Sequence, residues 1–421
     1  MLLLLLEDEG AELLRPASDL TPVHDLVIGR EKISERAKRL LKPSGLAALV
    51  RPHLTPKVRD SEIPPFEGAE EDVLILNSRW LIGESEARLL LSLDKGEALA
   101  SSDGTILGVR LDRSVADQMA SWGIKGDMAG ITEAVHALAE TVRVVQAPRT
   151  IKYPWELLKA SLEALREEPR ESGPASLPSG VKVLGDPRRV TLSDDVEFEG
   201  PGVIDARRGP VYLGRDVVIG AHTTLVGPLH VERNSTIFPC AYISNSYVGP
   251  VCKIGGEFAD SVVLGYSNKA HYGYVGHSYV GRWVNVGAGT ATSDLKNTYG
   301  EIRKVVAGQR IGTGEIKLGS FIGDHAKTAI GAMLYTGLFA GAASHLHGFV
   351  LEDVPPFTIY AESLGWGKVE LELESAIRTY ERMAARRSVE PSSGEEESMR
   401  LLFELTREER RRAGVEVRRL R

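Results

Sequence analysis

The stretch LGRDVVIGAHTTLVGPLHVERNSTIFPCAYI, residues 213–243, decides the fold of the C-terminal half of the chain. An aliphatic residue recurs in it at every sixth position, which is typical of hexapeptide repeats. Such repeats build a parallel β-helix from triangular coils. On each of the three faces of a coil one aliphatic residue points inward, and small or polar residues form the corners between the faces. The residues of this series are Leu213, Ile219, Leu225, Val231, Ile237 and Ile243.

The repeat extends beyond this stretch, with small slips and one long break. We therefore expect a β-helix over residues 190–354, interrupted by a polar excursion at 294–318. A polar segment of that length cannot lie within a coil, and long excursions from a compact scaffold are usually functional or disordered. The positions that continue the series are Val248, Ile254, Val280 and Val286, and after the break Thr328, Leu334, Ala340 and Leu346.

The N-terminal part has the pattern of an α/β domain. We expect buried strands at 2–6, 73–77 and 142–146, because these runs are short and apolar. Helical periodicity occupies residues 30–41, 131–142 and 154–168. The domain is predicted to cover residues 1–170, with a linker at 171–189.

The C-terminal part, residues 355–421, is predicted to be helical. Residues 369–387 and 398–414 have amphipathic periodicity, and the polar segment between them has the composition of a disordered linker. Repeat proteins need a polar cap over the open end of their core. These helices are therefore expected to cap the β-helix.

Composition excludes several classes of protein. The 421 residues are 43% hydrophobic and 26% charged, with a net charge of −7, which fits a globular protein without a basic face for nucleic acid. Leu2 to Leu6 is followed at once by acidic residues, so it is interpreted as a buried strand and not as a signal peptide. No apolar stretch approaches the roughly 20 residues of a membrane span. A cytoplasmic enzyme or scaffold is expected, and the scarcity of glutamine suggests a hot-growing source.

Four motifs resemble those of a known family. They are GYSNKAHYGYVG (265–276), VNVGAGT (284–290), KLGSFIGDHAKTAIG (317–331) and PPFTIYAESLGWG (355–367). With the domain order, they resemble the bifunctional enzymes that make UDP-N-acetylglucosamine, and most of all a divergent sugar nucleotidyltransferase-like subfamily with a shortened N-terminal domain. The resemblance implies a Rossmann-like nucleotidyltransferase fold followed by a left-handed β-helix. It also implies a homotrimer that binds acetyl-CoA between neighbouring β-helices and acetylates glucosamine-1-phosphate.

The resemblance implies a general base at His271, which stands in an H-x-x-Y motif. Acetyl transfer to a sugar amine needs a group that takes a proton near neutral pH, and histidine suits that task. The alternative for His271 is a corner residue that hydrogen-bonds within its own coil. The resemblance also implies substrate contacts for Lys269, Tyr274, Asn285 and Glu257, and a place in the acetyl-CoA groove for Ala288.

Asp294 departs from the family pattern, because related enzymes carry an asparagine there. A carboxylate would repel the phosphates of the substrate or of CoA unless lysines neutralise it. Lysines of the excursion could do so, or could form an exposed polar face. The predicted cofactor-binding set is therefore Ala288, Asp294, Lys296, Lys304 and Lys317.

His345 and His347, in SHLHG (344–348), lie on one side of a predicted strand and could bind a metal. No third ligand is evident in the sequence, and the resembled family needs no metal there. Both are therefore interpreted as corner residues, and no metal site is predicted.

In the N-terminal loop EDEGAELLRPASDLTP (7–22), acidic residues replace glycines of the loop with which the resembled nucleotidyltransferases cradle phosphates. Arg79 stands where the family has its Mg²⁺-binding aspartate, and a cation cannot hold Mg²⁺ directly. Arg15 and Arg79 could instead contact a nucleotide phosphate. The sequence thus predicts a degenerate domain, with Mg²⁺ required only if it is active.

The leading hypothesis is a sugar-phosphate N-acetyltransferase that uses acetyl-CoA. One alternative is an active sugar-1-phosphate nucleotidyltransferase making UDP-N-acetylglucosamine or a dTDP- or UDP-glucose. The other is a non-catalytic scaffold that binds a nucleotide sugar.

Overall fold

The computed structural model describes residues 1–68, 71–113, 128–167 and 177–418. Its helices are α1 (Ile33–Leu41), α2 (Thr55–Arg59), α3 (Glu84–Leu91), α4 (Met128–Leu138), α5 (Pro154–Glu167), α6 (Leu373–Ala385), α7 (Ser393–Leu405) and α8 (Arg407–Arg412). In this part of the chain, no helix is both long and apolar enough to cross a membrane.

The N-terminal domain contains a twisted sheet with the order β4-β1-β5-β7-β6-β8. The strands β4, β1 and β5 are parallel, which is the arrangement of a Rossmann-like half, and β7 joins them antiparallel. Strand β1 is buried because LLLLL lies between two strands in the middle of this group. The strands of this domain are β1 (Leu2–Leu6), β2 (Val27–Ile28), β3 (Glu31–Lys32), β4 (Gly45–Leu49), β5 (Val73–Asn77), β6 (Glu97–Ser101), β7 (Ile106–Leu111) and β8 (Thr141–Val145).

Strand β8 corrects one expectation. Its valines are exposed, with 47% of Val142 and 56% of Val144 accessible, whereas the sequence predicted a buried strand. The reason is its position at the end of the sheet order, where it pairs with β6. An apolar run alone does not distinguish an edge strand from a central one.

The second domain is a parallel β-solenoid over residues 181–360. It begins at Val181, which pairs with Gly202, and so starts earlier than the expected residue 190. Its strands are β9 (Val181–Leu184), β10 (Val190–Leu192), β11 (Glu197–Phe198), β12 (Gly202–Asp205), β13 (Val211–Leu213), β14 (Val218–Ile219), β15 (Thr224–Val231), β16 (Thr236–Ile237), β17 (Tyr242–Val248), β18 (Lys253–Ile254), β19 (Glu257–Ala259), β20 (Val262–Val263), β21 (Asn268–Lys269), β22 (Tyr274–Gly276), β23 (Tyr279–Val280), β24 (Ala291–Thr292), β25 (Arg303–Val306), β26 (Gln309–Gly312), β27 (Phe321–Ile322), β28 (Lys327–Thr328), β29 (Met333–Leu334), β30 (Phe339–Ala340), β31 (His345–Leu346), β32 (Phe349–Val350), β33 (Thr358–Ala361) and β34 (Gly367–Glu370).

The parallel strands stack into three faces. Face 1 contains β12, β19, β22, β24, β29, β32 and the first halves of β15 and β17. Face 2 contains β11, β14, β16, β18, β21, β28, β31 and β33. Face 3 contains β10, β13, β20, β23, β27, β30 and the second halves of β15 and β17.

The hexad residues form the core of the solenoid, as the sequence predicted. All six residues of the opening series are at most 1% exposed. Burial of such an aliphatic side chain stabilises a fold by roughly 1.5–3 kcal/mol. Stacking identical positions in successive coils therefore gives the solenoid a continuous apolar interior.

The excursion forms a hairpin of β25 and β26, anchored where Leu295 pairs with Lys317. The hairpin extends toward the N-terminal domain, where Lys159 contacts Glu315 at 2.9 Å. The N-terminal domain packs on face 3: the Val27 amide donates to the Tyr279 hydroxyl at 3.2 Å, and Trp155 lies beside Phe339. Faces 1 and 2 meet at a corner away from this interface.

The C-terminal helices join both domains. Helix α6 packs on the corner that carries Trp283, and α7 packs on α2. Helix α6 thus contacts the side of the solenoid, whereas the sequence predicted a cap over its open end. Helix α7 begins at Ser393, inside the segment that the sequence predicted to be disordered. It forms there because Ser392 caps Glu395 and because Asp60 accepts a 2.8 Å hydrogen bond from the Gly394 amide.

Candidate functional site

The candidate site lies at the corner between faces 2 and 1. After β21 the chain turns through residues 270–273 and enters β22. His271 is exposed at this turn, and 75% of Tyr272 beside it is accessible. No described residue forms a hydrogen bond with the His271 imidazole, so the alternative of a corner histidine bonded within its coil has no support in this geometry.

Strand register brings most of the predicted site residues to this corner. Glu257 and Tyr274 are paired neighbours on face 1, one coil apart. Asn285 is paired with Asn268 on face 2. Ala288 lies at the same corner one coil further on, where the Gly289 amide donates to the carbonyl of Tyr272 at 2.9 Å.

Asn268 adds a polar atom that sequence reasoning did not single out. Its side-chain carbonyl oxygen is buried and accepts no hydrogen bond within the described chain. Buried polar atoms are nearly always paired. The Asn268 oxygen, beside Asn285, is an exception among the described residues, and its burial shields it from solvent in this structure.

The hydroxyl of Tyr274 points along its strand, away from His271. It donates to Asp294 Oδ2 at 2.7 Å, and the ring lies over Gly276. A Cβ at Gly276 would lie 1.9 Å from the Tyr274 oxygen, so glycine is needed there. Burial, with Asp294 beside it, raises the pKa of Tyr274 well above its usual value. The structure thus places this hydroxyl at the far end of β22 from the histidine.

Asp294 also contacts His277, a residue that the sequence analysis missed. The Asp294 carboxylate lies 2.7 Å from His277 Nδ1. This hydrogen bond lowers the pKa of Asp294, with Tyr274 adding to the effect against partial burial. The Asp294 carboxylate is therefore hydrogen-bonded by His277 and Tyr274, and Lys317 stabilises its charge at longer range.

His277 belongs to a polar row at the corner between faces 1 and 3. Its Nε2 lies 3.8 Å from Asp260 Oδ2, and Asp260 accepts a 2.6 Å hydrogen bond from Asn245. All three residues adopt left-handed backbone conformations. Strand register aligns the residues just before them, Ser244, Ala259 and Gly276, whereas separations of 15 and 17 residues depart from the sixfold period and hide the row in the sequence.

The excursion lysines do not gather at the His271 corner. Lys304 forms an ion pair with Asp353 at 2.6 Å, and its ammonium lies 4.2 Å from the Phe339 ring on face 3. Lys296 donates to the carbonyl of Glu301 within the excursion. Lys317 pairs with Leu295 at the base of the hairpin. Within its own chain Lys304 therefore lies away from the His271 corner, because its partner Asp353 holds it beside face 3, and its role in the acetyl-CoA groove stays a prediction.

The two histidines of SHLHG lie on and beside β31. His345 is aligned with Lys327 on face 2, and burial lowers the pKa of His345 to about 4. Within the described ranges, no three His, Cys, Asp or Glu side chains are grouped so that they could hold a metal ion.

The loop that follows β1 is filled by an internal ion pair. Arg79 binds Asp8 through two hydrogen bonds and donates to the Ile151 carbonyl at 3.1 Å. A Cβ at Gly10 would lie 2.4 Å from the Arg79 guanidinium carbon. Asn77 donates to Asp8 at 2.8 Å. The Asp8 oxygens that could approach a Mg²⁺ ion are thus hydrogen-bonded to the Arg79 guanidinium.

Arg15 is likewise ion-paired with carboxylates of the protein. Its Nε lies 2.5 Å from Asp19, and its Nη2 lies 2.9 Å from Glu409 of helix α8. These carboxylates hold the pKa of Arg15 above its ordinary value, against the effect of burial. The residues of this loop therefore do not fit a magnesium-bound nucleoside triphosphate.

Comparison with known proteins first defines the class. Residues 3–170 match the family model described as sugar nucleotidyl transferase, so the N-terminal domain is nucleotidyltransferase-like. The parallel strands β4, β1 and β5 agree with such a fold.

Particular relatives combine such a domain with acyl transfer. The chain is 28% identical over 252 residues to a bifunctional sugar-1-phosphate nucleotidylyltransferase/acetyltransferase of Sulfurisphaera tokodaii, covering 56% of this chain and 53% of that protein. It is 29% identical over 210 residues to the bifunctional protein GlmU of Chromobacterium violaceum, covering 44% of this chain and 40% of that protein. The chain thus spans about half the length of these curated relatives, which are transferases.

A solved Francisella novicida UDP-N-acetylglucosamine acyltransferase covers 56% of this chain and is itself 87% covered, with a TM-score of 0.31 and 13% identity. This likeness is too small to bear on function.

Proposed function

We propose that the solenoid transfers an acetyl group from acetyl-CoA to the amine of a sugar phosphate, glucosamine-1-phosphate or a close relative. The observation that carries the proposal is the exposed imidazole of His271, which no residue in the described part of the chain hydrogen-bonds, at a corner that also presents Glu257, Asn285 and Ala288. The relative from Sulfurisphaera tokodaii, which is named as an acetyltransferase, supports the same chemistry.

In the proposed reaction, His271 removes a proton from the sugar ammonium so that the amine can attack the thioester carbonyl. The new bond is an amide, and CoA leaves as its thiol after taking up a proton. A base near neutral pH is suited to the first step, because the amine must be unprotonated to attack. Asn285 would hold a sugar hydroxyl through a hydrogen bond.

The test is release of CoA thiol by the full-length protein with acetyl-CoA and glucosamine-1-phosphate. We expect turnover that falls by about 100-fold or more in His271→Ala, the range for loss of a general base. His222→Ala is the matched control, because His222 is an exposed histidine at the equivalent corner in an earlier coil. Full activity in His271→Ala, or no thiol release by the wild-type protein with any amino-sugar phosphate, would refute the proposal.

The proposal includes a homotrimer that associates through face 1, in a cytoplasmic location. The last coils of this face expose several large apolar side chains. Single exposed apolar residues are ordinary on a protein surface, whereas a group of them is typical of an interface. Substitution Phe349→Glu should shift the mass measured by light scattering toward the monomer, whereas Val417→Glu, outside this face, should leave it unchanged. The exposed fractions on this face are Met333 38%, Tyr335 56%, Phe349 59% and Leu351 59%.

A further inference from the structure

Lys269 occupies a position of the solenoid that an aliphatic residue fills in other coils. In the register of face 2, Lys269 pairs with Ile254, which in turn follows Ile237 and Ile219 in the same inward-facing column. These isoleucines are at most 1% exposed, and Lys269 itself is 4% exposed. A lysine in this column places an ammonium group inside the coil, which is costly unless its donors are satisfied.

All three donors of the Lys269 ammonium are matched by backbone carbonyls. Nζ lies 2.5 Å from the carbonyl oxygen of Gly255 and 2.8 Å from those of His271 and Gly273. An ammonium has three N–H groups and no acceptor, so this set exhausts its capacity. Burial lowers the pKa of Lys269 to about 8, with Glu257 opposing the shift.

The carbonyls that Lys269 holds flank the His271 side chain. Lys269 donates to the carbonyl oxygen of His271 itself and to that of Gly273, which has a φ of +126°. The imidazole has no hydrogen-bond partner of its own among the described residues. The backbone of the turn therefore sets the position of the His271 Cα–Cβ bond, and that backbone is held from the inside by the Lys269 ammonium.

We infer that Lys269 is a positioning residue: its ammonium fixes the turn that presents His271 to the substrate. This inference rests on the proposed acetyl transfer. It differs from the role that the family resemblance implied, in which a basic residue near the histidine contacts the sugar phosphate. An ammonium whose donors all point into the coil has none left for a phosphate.

The two roles predict different kinetics. Loss of a phosphate contact raises KM for the sugar phosphate with little effect on kcat. A misplaced base lowers kcat, by about 100-fold for a displacement near 1 Å, and leaves KM little changed. Lys269→Met removes the donors and keeps the length of the side chain. Lys253→Met is the matched control, because Lys253 is exposed on the preceding coil.

We expect Lys269→Met to lower kcat with KM for both substrates unchanged, and Lys253→Met to behave like the wild type. A raised KM for the sugar phosphate at unchanged kcat would overturn the inference in favour of the phosphate contact. Unchanged kcat and KM would overturn it outright. If Lys269→Met fails to fold, Lys269→Ile restores the residue found in the three preceding coils and is expected to give the same loss of kcat.

Amide hydrogen exchange measured by mass spectrometry separates this inference from the proposed function. In Lys269→Met, the peptide covering residues 266–277 should exchange faster, while the peptide of the equivalent turn at 218–226 stays unchanged. This result requires no enzymatic activity. If the wild-type protein releases no CoA, the acetyl-transfer proposal fails, yet faster exchange at 266–277 still supports the role of Lys269 in holding the turn. Unchanged exchange there would refute that role.

Discussion

The guanidinium of Arg79 and the carboxylate of Asp8 form a bidentate ion pair that fills the loop after the first strand. The Nε to Oδ1 distance is 2.6 Å, and the two side chains are 6% and 4% exposed. In a nucleotidyltransferase fold, this region receives the phosphates and the metal ion. Here the protein supplies its own cation and its own anion, and the two neutralise each other.

The first prediction concerns nucleotide binding. Calorimetric titration of the full-length protein with UTP or dTTP and Mg²⁺ should show no binding at millimolar ligand, because Arg79 and the acidic residues beside it exclude a triphosphate. Acetyl-CoA in the same buffer is the positive control under the proposed function. Saturable binding of either nucleotide, weakened in Arg79→Met, would show that the loop opens.

The second prediction concerns stability. Arg79→Met leaves Asp8 buried without its cation, and breaking a buried pair in this way typically costs about 3–5 kcal/mol. Urea unfolding should show this loss in the transition of the N-terminal domain. Arg88→Met is the control, because the Arg88–Glu84 pair is exposed and such pairs contribute at most about 1 kcal/mol. Equal effects of the two substitutions would contradict the assignment of Arg79 as a buried structural cation.

The features that follow from the sixfold spacing of aliphatic residues could be predicted from the sequence. The directions in which individual side chains point could not. The sixfold spacing of Leu213 to Ile243 predicted both the solenoid and its interior, because only an inward position demands an aliphatic residue in every coil. The same spacing does not reveal that Lys269 points inward while Lys253 points outward. Nor does the H-x-x-Y pattern show that the Tyr274 hydroxyl turns toward Asp294. Side-chain direction depends on neighbours that lie one coil away, beyond any local motif.

The third prediction tests the contact between Tyr274 and Asp294. A double-mutant cycle with Tyr274→Phe and Asp294→Ala should give a coupling energy of about 1.5–3 kcal/mol in the free energy of unfolding, the range for a hydrogen bond to a charged group. Tyr272→Phe with Asp294→Ala is the control cycle, because Tyr272 is exposed. A coupling energy near zero for the first pair would mean that the hydroxyl of Tyr274 is available to a ligand.

The fourth prediction concerns Glu395, which joins three parts of the molecule. Its carboxylate lies 2.7 Å from Lys57 of the N-terminal domain and 2.8 Å from His325 of the solenoid. Burial opposes its ionisation, but Lys57 and His325 outweigh burial and hold the pKa of Glu395 well below its usual value. The stabilisation is therefore present above about pH 4.5 and is lost as the pH falls toward the folded-state pKa.

Glu395→Gln should lower the free energy of unfolding by about 3–5 kcal/mol at pH 7, because Lys57 loses its buried partner. The difference from the wild type should shrink as the pH is lowered below 4.5. Glu397→Gln is the control, since this side chain is exposed and its ion pair measures 3.9 Å. A difference that stays constant between pH 7 and about pH 3 would contradict the depressed pKa.

The fifth prediction concerns Lys327, whose ammonium donates to the carbonyls of Trp283 at 3.0 Å and His325 at 2.6 Å. Burial, with Arg387 adding to it, lowers the pKa of Lys327 to about 7 from the ordinary 10.5. Between these pH values the unfolded chain binds a proton that the folded chain does not, so stability rises with pH across that interval. The rise contributed by one such group is at most about 1.4 kcal/mol per pH unit.

Lys327→Met should abolish this contribution. In urea unfolding at pH 7, 8, 9 and 10, the wild type should therefore gain stability relative to Lys327→Met at each step, while Lys253→Met should follow the wild type. Other groups titrate equally in all three proteins, so their contributions cancel in the differences. Parallel curves for the wild type and Lys327→Met would mean that Lys327 keeps its proton in the folded state, held there by the two carbonyls against the effect of burial.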